Sequence, residues 1–198
     1  MVAAPVPLFT PEQYLRRERQ SEFRSEYDNG QIHVMSGGTG AHSALIAAFA
    51  AELRMLLGER RCTVTVADLR LHIGLQSAYV YPDVMVTCGG LRYSDGHQDM
   101  IENPSVVVEV LSTSTERYDR TGKFALYRKV TTLEEYVFVS QDEKRVEWYT
   151  RNDQGNWEYR EAVGDEGVCH LARLGVAVSL RSLYRNVPGL DPADGPNS

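Results

Sequence analysis

Two carboxylates stand at positions where an acidic side chain needs a partner or a task. Glu109 interrupts the apolar run Val106–Leu111, and burying an ionised carboxylate in such a run is costly unless it is paired or bound to a cation. Asp83 follows Pro82 at the start of another apolar run. Two carboxylates at neighbouring strand ends form a site for a hard divalent cation. The alternatives are a strand whose Glu109 faces solvent at a sheet edge and an ordinary Pro-Asp turn.

A third set of polar residues recurs at intervals of four, namely Asp119, Lys123 and Tyr127. On a helix this spacing places all three on one face. The helix follows the Glu109 strand after a short polar loop, so its face can return over the strand ends and bring an ammonium near the carboxylates. The competing interpretation is an exposed Asp119–Lys123 pair worth only a few tenths of a kcal/mol. Glu26, on a predicted hairpin strand, either adds a carboxylate to this group or faces solvent.

The elements that must position these residues follow from hydrophobic periodicity and turn signals. Helices are predicted for 11–19, 44–57 (with His42 in its first turn) and 119–129, and strands for 22–27, 31–35, 62–66, 69–73, 80–87, 106–111, 135–139, 145–149 and 157–161. Asp28-Asn-Gly30 predicts a tight hairpin turn. The continuous apolar run 106–111 indicates a strand buried in the middle of a sheet. This order predicts an α/β fold, a single domain with a mixed central β-sheet flanked by helices.

Composition and chain ends narrow the class of protein. The 198 residues, 42% hydrophobic, suit one domain, predicted at 10–187, with a turn-rich tail at 188–198 that we expect to be disordered. The net charge of −6 excludes a polybasic module. The N-terminus lacks the basic region of a signal peptide, and the apolar stretch 44–51 is too short to span a bilayer. The three scattered cysteines argue against a disulfide framework, so we expect a cytoplasmic protein with no membrane contact.

Taken together, these motifs resemble the Uma-type restriction endonuclease family, a bacterial family of the PD-(D/E)XK, restriction-endonuclease-like superfamily. The resemblance runs from about Thr10 to Val187. The matching pieces are Glu26-Tyr-Asp-Asn-Gly30, His42 at the start of a helix, Tyr81-Pro-Asp-Val84, Val108-Glu-Val-Leu-Ser112 and Asp119-x-x-x-Lys123-x-x-x-Tyr127. The resemblance implies a restriction-endonuclease-like fold for this chain.

The resemblance also implies roles for single residues. Asp83 and Glu109 match the two acidic residues of the motif, and Lys123 matches its lysine, because Leu111 occupies the usual lysine position two residues after Glu109. A Mg²⁺ or Mn²⁺ ion is expected on Asp83, Glu109 and the main-chain carbonyl of Val110. The expected catalytic residues are Glu26, Asp83, Glu109 and Lys123, and His42, Asp119 and Tyr127 are secondary candidates. The implied reaction is endonucleolytic phosphodiester hydrolysis in DNA, leaving 5′-phosphate and 3′-hydroxyl ends, without an organic cofactor.

Two other functions fit parts of the sequence. The net charge of −6 and the missing strand lysine fit a non-catalytic binding or oligomerisation protein that keeps the nuclease-like fold. A hydrolase of small phosphate esters would share the carboxylates but enclose them in a pocket. A nucleic-acid enzyme would gather basic side chains around them, and the candidates are Arg16, Arg17, Arg19, Arg24, Arg117, Arg120, Lys123, Arg128 and Lys129. We expect a homodimer, the commonest assembly, and salt-sensitive, weak contact with DNA.

Overall fold

A computed structural model of the chain describes residues 8–35, 37–74 and 78–190. In chain order these residues form α1 (Pro11–Glu18), β1 (Ser25–Asp28), β2 (Gln31–Val34), α2 (Gly40–Leu57), β3 (Cys62–Val66), β4 (Arg70–Ile73), β5 (Ala78–Val80), β6 (Val84–Cys88), β7 (Met100–Ile101), β8 (Val106–Leu111), α3 (Glu116–Tyr118), a π-helical turn (Asp119–Lys123), α4 (Phe124–Tyr127), β9 (Glu135–Ser140), β10 (Arg145–Arg151), β11 (Trp157–Val163), β12 (Val168–Leu171), β13 (Val176–Ser179) and α5 (Leu180–Leu183). The strand predicted for 80–87 is split, because 81–83 leave the extended ladder between β5 and β6.

The strands are arranged in two larger sheets and one hairpin. The larger sheet has the order β11-β10-β9-β8-β6-β3, and a second has the order β2-β1-β5-β4-β7. In the larger sheet β8 and β9 are parallel and the other neighbours are antiparallel, so the sheet is mixed, with β8 inside it as predicted. Parallel neighbours need a crossover connection. The helical segment from α3 to α4 supplies it and therefore lies over β8.

The predicted hairpin turn is present and brings Glu26 toward the larger sheet. Asn29 and Gly30 have φ values of 48° and 85°, the conformation that a tight turn between β1 and β2 requires. Strand β1 then pairs with β5 through Tyr27 and Tyr79. Since β5 leads directly to Asp83 and β6, this pairing places the hairpin carboxylate beside the strand ends.

Side chains of β8 alternate between two layers of the core. One face packs with α2 in a cluster that includes Val106, Val108, Val110, Leu45, Phe49 and Leu53, and the other face packs with the crossover in a cluster that includes Val107, Leu111, Leu126 and Tyr127. Helix α2 has the length and mean hydropathy of a possible membrane span. Its Leu45, Phe49 and Leu53 are fully buried and pack in the core cluster with β8.

The expectation that the cysteines stay unpaired is wrong for two of them. Cys62 in β3 lies opposite Cys88 in β6 in the antiparallel register, and the two form a disulfide. Strand register, which sequence spacing does not show, brings them together. Cys169 is a buried free thiol. At the other end, Leu190 packs against the core, and the predicted tail beyond it, 191–198, lies outside the described residues.

Candidate active site

A cavity of about 420 Å³ opens where β8 ends and β6 begins. Its walls come from residues 37–39 before α2, from the hydroxyl-rich loop 112–115 and from the end of β2. Its polar lining includes the carboxylates and the ammonium that the sequence indicated, namely Glu26, Asp83, Glu109, Asp119 and Lys123. The cavity is therefore the place where chemistry of these groups would occur.

Glu109 is the central buried carboxylate of the cavity. Its side chain points away from α2 and toward the crossover, and the residue is 2% exposed. Oε1 accepts a hydrogen bond from the Tyr127 hydroxyl at 2.6 Å and lies 3.2 Å from Lys123 Nζ. Oε2 accepts from the backbone N–H of Asp83 at 3.4 Å. The interior strand β8 therefore carries a carboxylate, Glu109, whose charge is compensated by Lys123 of the crossover and which also accepts a hydrogen bond from Tyr127.

Lys123 pairs with three carboxylates at once. Its Nζ lies 3.1 Å from Glu26, 3.2 Å from Glu109 and 3.4 Å from Asp119. Asp119 and Lys123 are the first and last residues of the π-helical turn, so the third of these pairs spans that turn. Glu26 is held from its other side, because Oε1 also accepts from the backbone N–H of Tyr81 at 3.0 Å.

Asp83 is fixed beside Glu109 by the register of two antiparallel strands. Val84, the first residue of β6, pairs with Val108 of β8. Because the strands are antiparallel, Asp83, just before Val84, lies opposite Glu109, just after Val108. The backbone N–H of Val110 donates to Asp83 Oδ2 at 2.8 Å. The side chain of Asp83 is 14% exposed. It remains the carboxylate of the group that is most open to the cavity.

His42 approaches Asp83 from the first turn of α2. Its Nε2 lies 3.5 Å from Asp83 Oδ2. The hydrogen bond to Asp83 raises the pKa of His42 despite partial burial, and a hydrogen bond to the backbone of Val110 adds to the effect. Thr39 caps the helix by accepting from the His42 N–H at 3.0 Å. Gly38 leaves room for the ring, since a Cβ there would lie 2.6 Å from Nδ1.

Acidic groups outnumber basic groups in the cluster. Burial raises the pKa of Glu109 well above its usual value, Lys123 opposes the shift, and nearby Asp83 and Asp119 add to it. Burial alone lowers the pKa of Lys123, but Glu109, Glu26 and Asp119 outweigh it, so the pKa is raised well above normal and Lys123 is an ammonium. Burial likewise raises the pKa of Asp119. Four carboxylates thus share one ammonium and one histidine, an arrangement that favours a further cation.

The donor set of the cavity suits a hard divalent cation with an incomplete protein shell. In the described part of the chain, no three His, Cys, Asp or Glu side chains are grouped as a metal cage. Asp83 and Glu109 nevertheless line the cavity with the main chain of Val110 beside them, and Mg²⁺ is commonly bound by one or two carboxylates with waters and substrate oxygens. These residues fit the expected ion.

The structure brings together all the predicted site residues, whereas most of the candidate basic residues lie outside the cavity. Tyr127 reaches the group through Glu109, and the other six side chains line the cavity. Of the nine candidate basic residues, all within the described ranges, Lys123 lines the cavity and the other eight do not. Arg24 pairs with Asp68, and Arg120 pairs with Glu116 and Glu147. By this criterion the cavity lacks the broad cationic track of an ordinary duplex-binding protein.

Sequence reasoning missed two aromatic residues of the cavity, Tyr118 and His33. The Tyr118 ring lies over Gly122, where a Cβ would come within 2.4 Å of the ring, and 6.2 Å from the ring of His33. Both aromatic residues line the cavity. The Tyr118 hydroxyl is buried without a hydrogen bond, and burial raises its pKa to about 12. A glycine inside a predicted helix was the available signal, because such a glycine often accommodates a neighbouring side chain.

Comparisons with known proteins agree on one family. The family model for Uma2, described as "Putative restriction endonuclease", matches residues 11–180. Two Synechocystis sp. proteins, each an "Uncharacterized protein", are similar: sll1609 is 35% identical over 83% of this chain and 93% of its own length, and slr1290 is 34% identical over 93% and 96%. A solved structure, "a putative nuclease belonging to DUF820" from Anabaena variabilis, superposes with a TM-score of 0.73 at 18% identity, covering 89% of this chain and 97% of that one.

The structural likeness shows that the two chains share a restriction-endonuclease-like fold. The family match spans most of the chain, including every residue of the carboxylate cluster. This chain therefore belongs to the Uma2 family of restriction-endonuclease-like proteins.

Proposed function

We propose that the protein is a Mg²⁺- or Mn²⁺-dependent endonuclease that hydrolyses phosphodiester bonds in DNA. The observation that carries this proposal is the convergence of Asp83, Glu109 and Lys123 in one cavity, with contacts of 3.4 Å and 3.2 Å to Glu109. These residues come from β8, from the start of β6 and from the crossover, and only the fold brings them together. Membership of the Uma2 family supports nuclease activity.

Asp83, Glu109 and the main-chain carbonyl of Val110 would hold the cation. Asp83 is oriented for this task by the Val110 N–H at 2.8 Å, and Glu109 is oriented by Tyr127 at 2.6 Å. A divalent cation supplies Lewis-acid chemistry, activating water and offsetting the charge of the phosphate. The negative charge of the cluster draws such an ion to the cavity, where the ion would offset the repulsion between the acidic protein and DNA phosphates.

Lys123 would act as a charged hydrogen-bond donor. Because its pKa is raised, it keeps its proton through the neutral range and does not serve as the base. An ammonium in the cavity can orient the attacking water and stabilise the charge that develops on phosphate oxygens. Glu26 and Asp119, at 3.1 Å and 3.4 Å, hold Nζ in place and are positioning residues in this account.

The test is cleavage of supercoiled plasmid DNA by the purified protein with Mg²⁺, with Mn²⁺ or with a chelator. We expect metal-dependent nicking that disappears in Asp83→Asn and Glu109→Gln. The control variants Asp153→Asn and Glu158→Gln make the same chemical changes at exposed positions and should keep the activity. Cleavage that survives in both cavity variants would remove the proposal.

One observation favours a second candidate, a non-catalytic protein that binds a partner through the same fold. Candidate arginines are paired elsewhere on the surface, as Arg19 is with Asp95 and Asp99. A binding protein would contain the carboxylate cluster as a buried polar network, and its stability would depend on Lys123. Absence of cleavage with both metals, together with unchanged partner binding in Asp83→Asn, would favour this function.

A further inference from the structure

We infer that the cavity accepts an unpaired nucleotide of a single-stranded DNA segment, with the ring pair Tyr118–His33 as its stacking surface. This inference rests on the proposed nuclease function and adds the structural class of its substrate. Four features of the described residues support it: the depth of the reactive groups, the shape of the walls, the sparse positive charge and the aromatic pair at the side.

The reactive groups are recessed below the protein surface. Glu109 and Asp119 are 2% exposed, Glu26 is 6% exposed and Lys123 is 7% exposed. A phosphate of a DNA duplex lies on the convex surface of a stiff rod, whose bending costs several kcal/mol. Groups at this depth are reached by a strand that can leave the helix and extend into the cavity, as enzymes that act on extruded bases require.

Hydrogen bonds link the segments that form the walls of the cavity. The segment before α2 is joined to the end of β9 by a hydrogen bond between Thr39 Oγ1 and Gln141 Oε1 at 2.7 Å, and both residues line the cavity. On the crossover side, the Ser112 hydroxyl contacts Thr115 at 2.8 Å and Ser114 at 3.1 Å. The volume of about 420 Å³ lies within the range of pockets for small organic ligands. This space fits one nucleotide unit better than the flank of a duplex.

Positive charge around the cavity is sparse. Among the described lining residues the cationic groups are Lys123, which already contacts three carboxylates, and His42, which contacts Asp83. Duplex binding derives most of its affinity from several Lys and Arg contacts to phosphates. Single strands release fewer counterions per phosphate and gain affinity from base stacking. The composition of this lining therefore matches a substrate that is held mainly by its bases.

The aromatic pair provides the stacking surface. The rings of Tyr118 and His33 lie 6.2 Å apart at the cavity wall, and His33 is exposed on the edge strand β2. Gly122 fixes the Tyr118 ring, because any larger residue would displace it. Stacking tolerates any base, so this surface would select unpaired strands rather than a sequence.

The test compares one oligonucleotide as a single strand, as a blunt duplex and as a duplex with a central unpaired bubble. Binding is measured by fluorescence anisotropy with Asp83→Asn, and cleavage is measured with the wild type and Mn²⁺. We expect the single strand to bind at least about tenfold more tightly than the duplex, and cleavage to fall within unpaired segments. Tyr118→Ala should weaken single-strand binding about tenfold, whereas Tyr118→Phe should keep most of it.

The outcomes separate this inference from the proposed function. Equal or tighter binding of the duplex, or single-strand binding that Tyr118→Ala leaves unchanged, overturns the inference while the nuclease proposal stands. Tight, Tyr118-dependent single-strand binding without any cleavage supports the inference and removes the nuclease proposal. His33→Ala is the second variant, because this exposed side chain can be removed with little effect on folding, and it should weaken single-strand binding in the same direction.

Discussion

Replacement of Lys123 by Met tests whether the buried cluster is held by a single ammonium. The side chain of Lys123 is 8% exposed and lies 3.1 to 3.4 Å from Glu26, Glu109 and Asp119. Methionine keeps the length and apolar volume of the lysine stem but removes its charge. Removal of one partner from a buried ionic group typically costs about 3 to 5 kcal/mol. We therefore expect Lys123→Met to lower the free energy of unfolding by about 4 kcal/mol near neutral pH.

The pH dependence of this loss has a definite sign. The pKa of Glu109 is already raised by burial, and removal of the ammonium raises it further. The folded variant then binds protons more tightly than the unfolded chain, so its stability is highest below the usual Glu pKa and falls as pH rises. Urea denaturation followed by tryptophan fluorescence should therefore show a larger loss at about pH 8 than at about pH 5.

Lys144→Met is the matched control. Lys144 forms one exposed ion pair with Asp165, and its replacement should cost less than about 1 kcal/mol at either pH. Excess Mg²⁺ should also restore part of the stability of Lys123→Met, by about 2.7 kcal/mol at a hundredfold excess over the dissociation constant. A loss no larger than that of the control, or one that grows on acidification, would refute the view that Lys123 neutralises the cluster.

Three further predictions concern single side chains. Burial raises the pKa of Glu135 to about 7 from an ordinary 4.5. The free energy of unfolding should therefore fall by about 3 kcal/mol as pH rises through this interval. In denaturation curves, Glu135→Gln should remove that fall. Gly38→Ala should displace His42, because its Cβ would lie 2.6 Å from the ring, and nicking activity should drop while the melting temperature changes little. Tyr127→Phe deletes the 2.6 Å hydrogen bond to Glu109, which should lower the free energy of unfolding by about 1 to 3 kcal/mol. Because that bond favours the ionised carboxylate, its loss should move the acid limb of the pH–activity profile to higher pH. An unchanged profile would contradict this prediction.

Local sequence signals predicted most elements of this fold. The capping box at Thr10 and Gln13, the Asn29-Gly30 turn and the apolar run of β8 each produce their element through interactions within a few residues. The predicted site residues also converge, because the crossover after a buried parallel strand must return over its carboxyl end. Family resemblance supplied the choice of Lys123, which the residue pattern alone left as a surface pair.

Features that depend on long-range register escaped prediction. The Cys62–Cys88 disulfide follows from the pairing of β3 with β6, and no local signal indicates that pairing. The π-helical turn Asp119–Lys123, whose Gly122 lies under the Tyr118 ring, replaces part of the regular helix predicted for 119–129. The scattering of the arginines among ion pairs such as Arg120–Glu147 likewise depends on which strands become neighbours.

The most direct test of the account is calorimetric titration of the protein with Mg²⁺ and with Mn²⁺. The account predicts binding to the wild type that is lost in Asp83→Asn and in Glu109→Gln and kept in the exposed controls Asp153→Asn and Glu158→Gln. Cation binding that persists unchanged in both cavity variants, or the absence of binding in the wild type, would contradict the claim that these two carboxylates form a metal site.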